Sequence, residues 1–574
     1  MRQVSRAPGI ALVSIFGIVL AACGGGESPS QAPSSGASAS APASQGELPT
    51  GGTVRIGIGG SPDSLNPGNG LLSESYDLYE LVYDTPIGIN QAGEFVPELA
   101  TEWSVADDGV TWTMTIRDDA VFHDGEPVTA EDVAFSIQLY KDTTDFPYMP
   151  SYASYFETIE APDETTVVLT TAEPIGNFEA NIVFMYVLPE HIWADAGDPI
   201  EFQNREMIGS GPFALAEYQR REFSRLEANE DYWNGRPNID GVIFQTYRNS
   251  DARVQALLNG DVDAISEYPP TAYASISNAE NVQTHIADIA AGGDIRDILF
   301  NMVSPEDCPT DDGGECTGHP ALQDVEVRRA LAMAMEKQQI IDVALLGLGS
   351  QGVGFVPPGL GEYFIGTDAD IAYDVAGANA LLDQAGYTDT DGDGIRECKS
   401  GQDCPTGDLT LRFNYPDDID TAPREAELIS DMWNAIGVRI EIGALDSDTL
   451  TSICCPTFDF DVILWGWGSD PDPGFLLSVT TCAEIPTGYS ETGYCSEEYD
   501  QLYADQGTEV DRDARIAIVH QMQQMLLDDV PYIVPYYAQI REGWRTDTFT
   551  GWLDDNPTFG IAAPETLTVL RPAQ

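Results

Sequence analysis

The chain has 574 residues, 43% apolar and 9% aromatic, an ordinary composition for a folded protein and too long for one simple core, so two or three lobes are expected. Charge is the anomaly: 26 Lys plus Arg against 94 Asp plus Glu gives a formal net charge of −68. That excludes nucleic acid, which needs clustered cations, and flat docking on an anionic lipid surface.

Arg2 and Arg6 precede an apolar run, Ile10 to Ala22. At ~1.5 Å per residue this run is too short for a helix to cross ~30 Å of hydrocarbon, so residues 1–22 are expected to be a secretory signal peptide. Leu20-Ala21-Ala22-Cys23-Gly24 resembles the bacterial lipobox, which makes Cys23 the expected lipidation site. An ordinary signal peptide with a chance Cys is the competing reading. Residues 23–50 are mostly Gly, Ser, Ala and Pro with almost no bulky apolar residue, the composition of a flexible tether. With only three lysines, Lys141, Lys337 and Lys399, the acidic bias fits either a saline or acidic exterior or a coding preference for arginine; both stay open.

Further along, Thr111 to Arg117 alternates, with Trp112, Met114 and Ile116 on one face, the mark of a strand. Thr129 caps a helix with Asp132 at the third helical position and a stripe of Val133, Ile137 and Tyr140. Asp324 opens a helix with Val327, Leu331, Met335 and Leu345 on one side, stopped by Gly347. Asp389, Asp391, Asp393 and Gly394 read as the start of a calcium loop. Position twelve is Ser400, where an EF-hand needs Glu, so an unliganded Asx-rich turn competes with a structural Ca²⁺ site. Phe458 to Trp467 alternates with both faces largely apolar near its end, which fits a central strand carrying Trp465 and Trp467 on one face. Ala514, Ile518, Met522, Met525 and Leu526 form a last helical stripe, closed by Pro531. Helices and strands interleave, so the class is α/β or mixed α+β.

Without Cys23 the cysteines number eight, and in an exported protein disulfides are expected. Cys308/Cys316 and Cys398/Cys404 are close pairs in polar loops. Among the rest, Cys482–Cys495 with an adjacent Cys454–Cys455 bridge is favoured, and crossed pairings stay open.

Several segments then share one pattern. They are Leu99 to Trp103, Asp107 to Arg117, Phe122-His123-Asp124-Gly125 and Pro127 to Val133. Gly209-Ser210-Gly211-Pro212-Phe213, Asn229 to Pro237, His319 to Leu331, and Phe458 to Pro473 follow. In this order the chain resembles family 5 extracellular solute-binding proteins, the receptors of ATP-binding-cassette importers for peptides, nickel and related solutes. The resemblance implies two lobes around a ligand cleft with a hinge. It places lobe I at 51–90, 205–297 and 537–574, an inserted subdomain at 91–204 and lobe II at 298–536. It also implies a site. In members with the Trp-x-x-Asp arrangement the Asp meets the α-amine of a bound peptide, and Trp467-Gly468-Ser469-Asp470 keeps that spacing. Trp465, Trp467 and Asp470 are therefore candidate ligand-binding residues, against a reading as core tryptophans and a turn cap. Arg296 to Asn301 resembles the crossover strand lining the family's cleft. Arg296 is a candidate partner for a ligand carboxylate, against a structural salt bridge.

The five histidines make no HExxH or paired spacing, and no G-x-S-x-G, P-loop or G-x-G-x-x-G occurs, so an enzyme is not expected. No cofactor is expected beyond the candidate Ca²⁺ loop. The resemblance implies a lipid-anchored, monomeric, extracytoplasmic receptor that delivers di- or oligopeptides to importer permease subunits. The same scaffold retuned to a sugar, metal chelate or signalling peptide is the alternative, and an exported hydrolase a distant one.

Overall fold

The computed structural model describes residues 49–90, 94–287, 294–402, 404–485, 490–552 and 560–573. The expected signal peptide, Cys23 and the expected tether as far as residue 48 lie outside the described residues. Two large mixed sheets organise the rest. The first has seven strands in the order Val282–Ala287, Ile540–Arg545, Ala264–Ile265, Thr53–Ile58, Gly241–Thr246, Phe223–Ala228 and Phe213–Gln219. The second has six, in the order Gly349–Gln351, Tyr532–Ala538, Asp294–Phe300, Val462–Gly468, Thr410–Pro416 and Arg439–Leu445. A separate four-stranded antiparallel sheet uses Ala100–Val105, Thr111–Ile116, Thr166–Thr171 and Phe156–Asp163. The protein is thus a mixed α/β fold of two lobes with a smaller subdomain.

The chain passes between the large sheets twice. Val282–Ala287 lies in the first and Asp294–Phe300 in the second; Tyr532–Ala538 lies in the second and Ile540–Arg545 in the first, with Gln539 alone between them.

Local chemistry explains the small subdomain. Trp112, Met114 and Ile116 are buried as the alternation requires, and Trp112 stacks on Phe178 at 3.9 Å. Thr129 accepts from the Asp132 amide while Asp132 accepts from the Thr129 amide, a complete capping box, and Val133, Ile137 and Tyr140 face the core. The glycines of Gly209-Ser210-Gly211 are required by close approach: a Cβ on Gly209 would lie 2.0 Å from the Val82 carbonyl oxygen. His123 clasps this turn. The Gly209 amide donates to its Nδ1 at 3.3 Å and its Nε2 meets the Gly211 carbonyl at 3.0 Å, so the ring is neutral and burial holds its pKa down.

Two expected elements differ. The helix opened by Asp324 breaks into Val325–Met333 and Lys337–Ala344, with Glu336 at a non-helical ψ of 83°. The buried Lys337 explains the break: its ammonium donates to the Gly352 carbonyl and to Asp370 at 2.7–2.8 Å, partners that a continued helix axis would not reach. The strand expected from Phe458 begins at Val462. Phe458 has φ +52°, and Asp459 and Asp461 are held by Arg412 at 3.1 and 3.0 Å. The helix Arg512–Asp529 buries Arg515, Val519, Met522 and Leu526, a stripe rotated from the expected one because Arg515 turns inward.

Candidate functional site

The strand Val462–Gly468 runs through the middle of the second sheet and delivers the chain into the loop Ser469-Asp470-Pro471-Asp472-Pro473. Asp472 fixes this loop. Arg515, 3% exposed, grips it with two parallel bonds, Nη1 to Oδ2 at 2.6 Å and Nη2 to Oδ1 at 2.7 Å, and the Gly474 amide donates to Oδ1 at 2.8 Å. With Asp472 anchored, Asp470 faces the small subdomain, where the Tyr152 hydroxyl donates to its Oδ2 at 3.1 Å. Enclosure by protein, with the Asp472 charge nearby, outweighs that bond and pushes the Asp470 carboxyl up to about 7.

Asp470 borders two spaces. One of about 450 Å³ lies between the subdomain and the second lobe, with Tyr152, Tyr155, Phe184, Phe475 and Tyr503 in its wall. The other, about 920 Å³, opens toward the first lobe, where Asp77, Glu80, Asp84, Glu98, Glu542 and Glu565 line the wall. Arg236 is the one basic residue lining it among the described residues, and it is already paired with Glu230 and Asp240 at 2.8 and 3.0 Å. Asp84 is held from behind by the Tyr232 hydroxyl and the Trp233 indole N–H, both at 3.2 Å, which gives the segment Asn229 to Pro237 its role. Enclosure and neighbouring acids raise Asp77 to about 7 and Glu80 to about 8; Asp84 and Glu98 are raised by burial. Such a wall favours a cationic ligand, which would relieve the mutual repulsion.

Trp465 and Trp467 are half-buried and share one face, beside Ile463. The Trp467 indole donates to Glu491 Oε2 at 2.8 Å, and its ring meets Phe475 edge-on at 6.0 Å. Arg296 points the other way. Its guanidinium donates to the Tyr536 hydroxyl at 3.1 Å and the Trp465 carbonyl at 3.0 Å, with Glu425 at 3.6 Å, so the salt-bridge reading describes it. Trp465 and Trp467 thus line one cavity while Asp470, just past the end of the same strand, borders two others, and Arg296 lies on the opposite face of the sheet.

The family described as bacterial extracellular solute-binding proteins, family 5 Middle, matches residues 94–485. The chain belongs to this family. The oligopeptide-binding protein AppA of Bacillus subtilis is 26% identical over 546 residues, covering 92% of each chain. The structure of that protein in complex with a nonapeptide aligns with a TM-score of 0.76 at 22% identity, covering 92% of this chain and 100% of the other. The same fold recurs in NikZ from Campylobacter jejuni in complex with Ni(L-His), at a TM-score of 0.75 and 21% identity, over 89% of this chain and 97% of the other. Proteins of this family are extracytoplasmic solute-binding proteins. Among the described residues no helix is long and apolar enough to cross a membrane.

Elsewhere in this family 5 protein, the Asp389, Asp391 and Asp393 carboxylates are exposed and converge to within 4.8 Å. Their oxygens accept backbone amides from Gly392, Gly394, Asp393 and Ile395, and Glu397 turns to Thr390, so the segment is organised as an Asx-rich turn. Bonded sulfurs join Cys308 to Cys316, Cys398 to Cys404, Cys454 to Cys455 and Cys482 to Cys495. Sequence reasoning missed Tyr152, Glu491 and the acidic wall. The wall comes from segments nearly 500 residues apart, and 94 acidic residues hide any six of them.

Proposed function

We propose that this protein captures peptides between its lobes and delivers them to the permease of an ATP-binding-cassette importer, standing off the outer face of the cell membrane on a lipid attached to Cys23. The observation that carries the reading is Asp470: a carboxyl just past a strand end between lobes, with a hydroxyl and, among the described residues, no cation bonded to it. A peptide α-amine supplies that cation. On lobe closure the amine leaves water, at a cost that a carboxylate offsets. Trp465 and Trp467 pack the first residues, while main-chain groups bond the peptide backbone and give affinity with loose sequence preference. The similarity to the oligopeptide-binding protein AppA of Bacillus subtilis, whose structure holds a nonapeptide, is in keeping with this reading. The two chain crossings supply the hinge.

Native mass spectrometry of the purified protein tests the ligand class: masses of short peptides released on unfolding support the reading, and a chelate or sugar overturns it. Membrane attachment is tested by Cys23→Ser, which should move the protein from the membrane fraction to the medium; retention sinks the anchor.

A further inference from the structure

The strand Asp294–Phe300 holds a residue that the α-amine site does not use. Ile295, Asp297 and Leu299 share one face of it; the outer two are apolar and buried. Asp297 between them is 0% exposed, and neither of its carboxyl oxygens has a hydrogen-bond partner. Its neighbour Arg296 turns to the other face. In register, Asp297 lies opposite Trp465 on the adjoining strand. The ionisable side chains that act on it are Arg296, Glu491 and Tyr532. Burial raises Asp297, and burial with the nearby Asp297 charge raises Glu491.

A cavity of about 170 Å³ lies against Glu491 and against Trp465, the register partner of Asp297. Leu299, Leu450, Ile463, Trp465 and the Cys454–Cys455 bridge wall it, and Trp467 with its bonded Glu491 lines it as well. Trp467 also touches Phe475, which borders the same space as Asp470. The pocket is therefore a neighbour of the α-amine site along one strand.

We propose that this pocket receives a basic side chain of the bound peptide, a lysine or arginine, with its methylene stem against Trp465 and its cation between Asp297 and Glu491. The inference rests on the peptide reading above. Apolar walls with a charged end suit a side chain that is itself an apolar stem with a charged tip. An indole attracts a cation further. A neutral aliphatic side chain of the same length fills the walls and leaves the Asp297 carboxyl bare, the costly arrangement for a buried acid. An acidic side chain adds a third carboxyl to two that already repel.

The test is calorimetry on the mature protein with tri-alanine variants carrying lysine, or the uncharged isostere norleucine, at each position in turn. At one position lysine should bind at least tenfold more tightly than norleucine. Asp297→Asn should reduce that ratio to threefold or less, as should Glu491→Gln, which serves if the first variant does not fold. Equal binding of lysine and norleucine at every position, or a preference that survives both substitutions, overturns the pocket. If no peptide binds, the peptide reading has failed, and a second arm decides the pocket alone. Quenching of tryptophan fluorescence by n-butylammonium and not by 1-butanol, lost in Asp297→Asn, supports a cation pocket; the same response to both probes, or none, overturns it.

Discussion

Two aspartates two residues apart, Asp470 and Asp472, meet opposite treatment. Asp472 sits in the grip of Arg515 with all its lone-pair needs met inside one lobe. Asp470 reaches across to the other side of the cleft and, among the described residues, its carboxyl finds a phenol and no cation. The difference separates structure from function within a single loop: the neutralised carboxylate builds the loop, and the other is left for something that arrives from solution.

The largest effect should come from breaking the anchored half. Arg515→Met leaves Asp472 without its cation in a nearly buried setting, and stability should fall by about 3–5 kcal/mol in chemical denaturation. A loss below about 1 kcal/mol would show that the pair is not what fixes the loop.

Breaking the open half should act on binding. Asp470→Asn is expected to weaken a free-amine peptide by at least about tenfold and to leave its N-acetylated form almost unchanged, by calorimetry on both proteins with both peptides. Equal losses would remove the amine anchor and favour a scaffold tuned to another solute.

Acidity gives a further test of Asp470. The Asp470 carboxyl is raised from 3.8 to about 7, so its protonated form favours the folded, ligand-free protein. That contribution is fully present below pH 3.8 and is lost as pH rises through about 7. Ligand affinity runs the opposite way: it should fall as pH drops below about 7 and the carboxylate takes a proton, and fall again above roughly 8, where a peptide amine loses its own. The low-pH limb should be absent in Asp470→Asn; its persistence there would assign it to the acidic wall instead.

The smallest expected effect is that of Tyr152→Phe, which removes one donor to Asp470 and should cost about threefold in affinity. Because that bond stabilises the carboxylate, the low-pH midpoint should move upward. A downward move would mean that the hydroxyl serves the ligand and not Asp470.

What the sequence disclosed follows from how local each cause is. The capping box at Thr129 and the alternation around Trp112 are settled within a few residues, and both are readable. So is the strand that ends at Gly468, just before Asp470, although its start is not, because the Arg412 bonds to Asp459 and Asp461 are long-range. The break at Glu336 depends on Asp370 and Gly352, and the fate of Arg296 on Glu425, none of them near in sequence. Asp297 was legible in part: a charged residue interrupting Ile295 and Leu299 breaks a buried strand's pattern, even though its surroundings come from Glu491 and Tyr532.

The single residue between Tyr532–Ala538 and Ile540–Arg545 has a mechanical consequence. One extended residue spans at most about 3.6 Å, so at that point the sheets cannot draw apart or slide past each other. Torsion about the bonds flanking Gln539 is the freedom left, and the Gln539 carbonyl is itself bonded to Arg541 at 2.9 Å. A short tether of this kind works as a pivot pin. Whatever docks on the outside of the molecule meets a change of angle, not of separation, and a few degrees at the pin become ångströms at the far rim.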